Sequence, residues 1–253
     1  SISGATEIWD KTSANQFDHP NDPNFINAVK TVAVSGNGTT LVVGFADGLV
    51  EVWDLTDITN KSPKVITSKA LGSSPIKSVT ISPNDQILAY QKGDTSVEII
   101  SIANNSQIAQ ISGRLPRGNP ISPNNKMIGI IQIEDSKNII NLHSLSLTAE
   151  QPLFKFYDFP ITASVNDLVN GPINYSPDSN MLTAFAGGDF KYWSTVSGLE
   201  LKESLPKRTG KCFTIYRRDG SFIVAASENG VIYSDANLKY FCDVPRNART
   251  TSE

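Results

Sequence analysis

The chain has 253 residues, 39% of them hydrophobic and 19% charged, with a formal net charge of −3. That is enough apolar material for one large all-β domain or two smaller ones, without the basic balance of a general polyanion binder. No apolar run approaches the roughly 18–20 residues that cross a bilayer, and two cysteines, Cys212 and Cys242, make no disulfide framework.

Lone thiols fit a reducing compartment, so a cytoplasmic or nuclear protein is expected. No secretory apolar segment opens the chain, which begins at Ser1 without Met, so its natural start can lie upstream. Asn37, Asn60 and Asn104 head Asn-x-Ser/Thr triplets, which a chain rich in Asn and Ser produces by chance.

The first strand pattern is "ATEIWDK" at 5–11. A fuller unit follows, with strands a, b, c and d at about 30–35, 40–46, 49–55 and 64–70. Strand a leads through "VAVSGNGTTLVVG" (32–44) into strand b, and "GFADGLVEVWDL" (44–55) is the hairpin from b to c. Its Asp47-Gly48 pair suits a two-residue hairpin turn in which both central residues have positive φ. Val50, Val52 and Asp54 then alternate with Glu51, Trp53 and Leu55, the period of a strand.

The same grammar recurs down the chain. "VTISPNDQILAY" (79–90) is followed by Gly93-Asp94 and "SVEIISI" (96–102). "NPISPNNKMIGI" (119–130) precedes Glu134-Asp135 and "IINLHSL" (139–145). "INYSPDSNMLTAF" (173–185) precedes Gly188-Asp189 and "DFKYWST" (189–195). "FTIYRRDGSFIVAAS" (213–227) comes last, with Arg217-Arg218-Asp219-Gly220 in place of the Ser-Pro turn, then Asn229-Gly230 and "GVIYSDA" (230–236). "LKYFCDV" (238–244) supplies its strand d.

Aligned on strand c, Trp9, Trp53, Ile100, His143, Trp193 and Ser234 are equivalent, at intervals of 44, 47, 43, 50 and 41 residues. A period in the forties marks a repeat architecture with four strands per unit. Two turn signals keep step through five repeats, and helical periodicity is absent.

The "SPN/SPD" turn, the "DG" hairpin and the terminal "VWD" resemble WD40 repeats, which build β-propellers. The resemblance runs from about residue 5 to residue 244. It is degenerate: the Gly-His pair common before strand a is missing, and only Trp9-Asp10 and Trp53-Asp54 keep the Trp-Asp pair. It implies an all-β β-propeller of four-stranded antiparallel blades: five complete blades plus a leading c–d half at about 5–17. The domain spans 1–244, with a polar tail at 245–253. The leading half lacks an a–b partner, so blades are expected upstream, in a larger six- or seven-bladed propeller or multidomain protein.

Chemistry is sparse. His143 reads as a packed strand residue, and His19, in "FDHPNDPN", as a solvated loop residue. No Cys/His spacing suggests a metal site, and strands a and d, which hold Cys212 and Cys242, are not neighbours in a blade. No P-loop, nucleophile elbow or dinucleotide fingerprint is present, so no cofactor is expected. Asp18 and Asp22, and Glu134 and Asp135, read as turn residues bonding to the backbone. Strand a, read as "TVAVS", "SVTIS", "PINYS" and "CFTIY", offers no ionisable cluster, which argues against an enzyme with its site in a central channel. Fold alone does not decide function.

The family's geometry puts d–a and b–c loops on one face and a–b and c–d loops on the other. "SGRLPRGNP" carries Arg114 and Arg117, and "SLPKRTGKC" carries Lys207, Arg208 and Lys211. Both are d–a loops, so five cations are expected on one face, with Arg217 and Arg218 on the other. They are either solubilising loop residues or a recognition surface for an acidic or phosphorylated segment, which Arg pairs bidentately. The expectation is a non-catalytic scaffold or adaptor binding protein partners within a larger chain or complex. The rivals are a propeller enzyme and a nucleic-acid-binding module using the same loops.

Overall fold

The computed structural model describes residues 8–9, 16–17, 29–56, 64–70, 74–134, 137–145, 155–163, 172–186, 189–201, 213–216, 222–227, 230–235 and 240–245. Among them there are strands and turns and no α-helix. By packing the chain divides into two compact units, residues 1–115 with 147–149, and residues 116–146 with 150–253.

In the N-terminal unit, β1 (Ile8–Trp9) pairs with β2 (Gln16–Phe17) in a two-stranded antiparallel sheet. A four-stranded sheet follows from β3 (Val29–Val34), β4 (Thr40–Phe45), β5 (Leu49–Asp54) and β6 (Lys64–Ala70), paired in sequence order. The next, from β7 (Ile76–Ile81), β8 (Ile87–Lys92), β9 (Ser96–Ser101) and β10 (Ser106–Ser112), repeats that order. Short connections allow only nearest-neighbour antiparallel pairing, hence the meander. Val79, Ile81, Leu88, Tyr90 and Ile100 of the second sheet form one buried cluster with Val42, Val50 and Val52 of the first. Alternation along each strand supplies that face.

The C-terminal unit contains β11 (Arg117–Asn119), β12 (Met127–Glu134), β13 (Lys137–Ser144), β14 (Lys155–Ala163), β15 (Pro172–Tyr175), β16 (Met181–Ala186) and β17 (Asp189–Ser194). It closes with β18 (Phe213–Tyr216), β19 (Phe222–Ser227), β20 (Gly230–Asp235) and β21 (Tyr240–Pro245), a four-stranded meander. Its sheet order keeps the a and d strands, β18 and β21, apart. Strand d of the fourth repeat is seen where Glu200 bridges Trp193.

The third repeat departs from a four-stranded antiparallel blade. Its strand a divides its pairing: β11 lies parallel to β15 of the next repeat, while Ile121 bridges β12 at Ile128. The switch falls at Pro120, which has no N–H to give; its carbonyl accepts from the Gly129 N–H at 2.8 Å. Gly118, at φ 88°, lets the backbone pass so close to Ile173 that a Cβ would lie 2.4 Å from its carbonyl oxygen.

The register bears out the strand-c alignment residue by residue. Leu41 faces Trp53, Leu88 faces Ile100, Ile128 faces His143, Leu182 faces Trp193 and Ile223 faces Ser234. His143 is buried in this position, as expected of a packed strand residue. Trp53 donates its indole N–H to the Glu51 carboxylate at 2.9 Å.

The a–b turn is the most regular device. Ser35, Ser82, Ser122 and Ser176 each donate the backbone N–H to the carbonyl five residues on, at 2.8–2.9 Å. Each Oγ accepts the N–H of that same residue, at 2.9–3.0 Å, and donates to the side-chain oxygen two residues on. The residue three beyond the Ser is left-handed every time: Gly38, Asp85, Asn125 and Ser179, at φ 77°, 58°, 59° and 65°. The b–c turn differs from the two-residue form expected. Ala46, Asp47 and Gly48 separate β4 from β5, and of these only Gly48 has positive φ, at 89°. This is the three-residue hairpin, in which one left-handed residue follows a type I turn.

Candidate partner-binding face

The d–a and b–c segments meet at one end of the second sheet. Gln91, near the end of β8, donates to the Gly93 carbonyl at 3.0 Å, which orders the turn into β9. Its Oε1 accepts the Leu115 N–H at 3.0 Å, and the Gly113 N–H reaches the Thr95 carbonyl at 2.8 Å. The loop that carries Arg114 is thereby sewn to the b–c turn, within one compact unit.

Arg114 is half-buried there. Lys77 forms an ion pair with Asp94. Asp94 is held below the usual carboxylate range, first by the hydrogen bond from Lys77, then by its charge, against slight desolvation and with help from the Arg114 charge. Sequence reasoning missed both Lys77 and Asp94. Asp94 could have been placed from the rule that b–c and d–a segments share an end.

Strand a also corrects the reading that it lacks ionisable groups. β3 and β7 begin earlier than expected, and each carries a lysine, Lys30 and Lys77, at a register shift: Val29/Thr31 and Ile76/Ser78. A bulge re-aims a side chain at a sheet end. Both lysines are exposed, and β3 and β7 lie side by side. Period-two patterning carries no mark of a bulge, which is why the sequence hid this pair.

Arg117 is exposed as the first residue of β11, in the other compact unit. Lys207, Arg208 and Lys211 lie outside the described residues, as do Arg217 and Arg218 on the expected opposite face, and Asp18, His19, Asp22 and Asp135. Among the described residues no group of three or more His, Cys, Asp or Glu could hold a metal ion. Among the described residues no helix is long and apolar enough to cross a membrane.

Comparison with known proteins fits this geometry. The family model "WD domain, G-beta repeat" matches residues 17–54, ending on Trp53-Asp54. Comparison with curated proteins finds no match. Among solved structures 1535 chains are similar, so the likeness marks a widely used fold rather than one activity. One of them, in "Crystal Structure of Mitotic Checkpoint Complex", has a TM-score of 0.68 and 14% identity, over 96% of this chain and 72% of its own. With strand c in register from Trp53 to Ser234 and one Ser-anchored turn repeated four times, the chain has the repeat fold of a β-propeller and carries a WD40 repeat at residues 17–54.

Proposed function

We propose that this chain is a non-catalytic interaction scaffold, in the cytoplasm or nucleus. Its d–a ends would receive an acidic or phosphorylated segment of a protein partner. The observation that carries the reading is the Lys77–Asp94–Arg114 cluster at the end of the second sheet, with Lys30 on the adjoining strand. Lys77 and Asp94 are 43% and 75% exposed, so their ion pair is a surface pair of small net value. A dianionic phosphate can take the cations from such a carboxylate, because charge-assisted bonds to it are stronger and Arg binds it bidentately. Rigid sheets with freely variable loops suit that role, and the checkpoint-complex chain is a relative in fold from a multi-protein assembly. Arg117, Lys207, Arg208 and Lys211 extend the same proposal to the other d–a loop residues.

The test is binding of an acidic phosphoserine peptide pool and of single-stranded DNA, read by fluorescence anisotropy at two salt concentrations. Arg114→Glu with Arg208→Glu is expected to weaken peptide binding about tenfold or more, since several charges act together to steer and orient. The melting temperature should hardly move. Arg217→Glu with Arg218→Glu should do much less. Equal peptide binding by both double variants would reduce the basic loops to solubilising residues. DNA binding that falls steeply with salt, without peptide binding, would replace the partner class.

A further inference from the structure

Ser-Pro occurs five times in the chain, at Ser62, Ser74, Ser82, Ser122 and Ser176. Ser62 lies outside the described residues. Ser82, Ser122 and Ser176 are at most 6% exposed, and the Oγ of each is spent in its a–b turn, accepting a backbone N–H and donating to a side-chain oxygen. Ser74 is placed differently. It precedes β7, is half-buried, and its hydroxyl makes no hydrogen bond among the described residues. It is also the one serine of the five with a cation three residues on, Lys77; the others have Val65, Asp85, Asn125 and Ser179 there. Proline at the next position and a cation at the third are what kinases of the cyclin-dependent class select.

The segment is already extended and is lightly held. Ile76 pairs with Lys92, the Pro75 carbonyl accepts the Gly93 N–H at 3.3 Å, and Lys77 falls in the register shift, outside the ladder. The b–c turn at 93–95 is thus bonded to Pro75 through Gly93 and to Gly113 through Thr95. Ser74 therefore shares this end of the sheet with Lys77, Asp94 and Arg114, within one compact unit.

We infer that Ser74 is a phosphorylation site for a proline-directed kinase, and that Lys77 and Arg114 hold its phosphate, closing this end of the second sheet to an acidic partner. The closure rests on the partner-binding reading above; the modification and the capture of the phosphate do not. In the transfer, Ser74 Oγ forms the new O–P bond to the γ-phosphorus of ATP as the bond to the β-phosphate oxygen breaks. ADP leaves, and the hydroxyl proton passes to the kinase's base. The phosphoserine carries about −1.5 to −2 at pH 7, against a single charge on Asp94, so Lys77 exchanges its carboxylate partner for the stronger phosphate. An anion tethered three residues from Lys77 is present at high effective concentration, and so outcompetes a similar anion arriving on another chain.

The experiment incubates the folded chain, carrying Ser62→Ala, with a cyclin-dependent kinase and ATP, and locates phosphate by mass spectrometry. Ser74 should be modified, and most of that phosphate should be lost in Lys77→Ala, while Ser82, Ser122 and Ser176 stay unmodified. Phosphorus NMR then follows the second ionisation of the phosphate, about pH 6 in a free phosphoserine. Lys77, Arg114 and Lys92, which pairs with Ile76, favour the dianion and Asp94 opposes it, so the ionisation should lie lower than in the free form and rise in Arg114→Ala. Absence of phosphate from Ser74 of the folded chain would overturn the inference, and so would an ionisation at the free value that ignores Arg114→Ala. Binding of the phosphoserine peptide pool should fall about tenfold or more on phosphorylation. Peptide binding that phosphorylation leaves unchanged would overturn the closure alone. A chain that captures the phosphate but binds no peptide beforehand would sink the partner-binding reading together with the closure, and would uphold the modification site.

Discussion

The side-chain amide of Asn37 donates to Asp85 Oδ2 at 2.8 Å, joining two a–b turns that are 48 residues apart in sequence. Thr39 Oγ1 adds a second bond to the same oxygen at 3.1 Å. Asp85 is the left-handed residue of its own turn, and the C-terminal unit repeats the arrangement. There the left-handed Ser179 accepts the Asn124 N–H on its Oγ at 3.0 Å. In these two turns the strained position is the one that grips the turn before it.

Asp85→Ala is therefore expected to lose two hydrogen bonds while keeping an L side chain at positive φ. The cost should be about 2–3 kcal/mol, from the missing bonds and the removal of the local polar compensation that Asp gives there. Asp85→Gly loses the same bonds but relieves the backbone, so it should fall between Ala and wild type. Urea unfolding gives the order. An Ala variant as stable as wild type would show that the link between the turns contributes nothing.

The periodic features were legible because each is local. Alternation set the strands, and Ser plus an Asn or Asp two residues on set the a–b turn, since the bonds of that turn span five residues. Trp53 and His143 could be aligned without a structure because turn spacing fixes register. What the sequence hid is non-local or breaks the period. Arg117 gives no sign that β11 leaves its own repeat to pair with Pro172–Tyr175. Lys30 and Lys77 sit on bulges that alternation does not mark, and Asp94 tempers a charge that a count of cations left whole.

Asp178 gives a prediction in pH. Burial raises its carboxyl, but hydrogen bonds from Ser176 Oγ and from the Asn180 N–H and side-chain amide outweigh that and leave it below the usual carboxylate range. A carboxylate depressed on folding adds stability above its unfolded pKa, lost as pH falls through the folded value. Asp178→Asn should fold, because Asn37, Asn84 and Asn124 hold the same place in the other turns. It should be less stable than wild type near pH 6, and the gap should close below about pH 4. Denaturant midpoints measured across that range check the sign; a gap that does not change with pH would mean the charge is unimportant.

Gly118 separates two kinds of glycine requirement. At φ 88° an L residue costs about 1–2 kcal/mol wherever it occurs. Here a Cβ would also stand 2.4 Å from the Ile173 carbonyl oxygen and 2.9 Å from Pro172 Cβ, and backbone cannot move aside as a flexible side chain can. Gly93, at φ 64°, has nothing within 4 Å of the same construction and serves as the control. Gly93→Ala should then show the conformational cost alone. Gly118→Ala should cost about 2 kcal/mol more, the usual scale of overpacking. It should also speed amide exchange over Pro172–Tyr175, since β11 must withdraw from β15 to admit the methyl group. Equal destabilisation by the two substitutions, with exchange unchanged at β15, would mean that β11 does not hold its place against that strand.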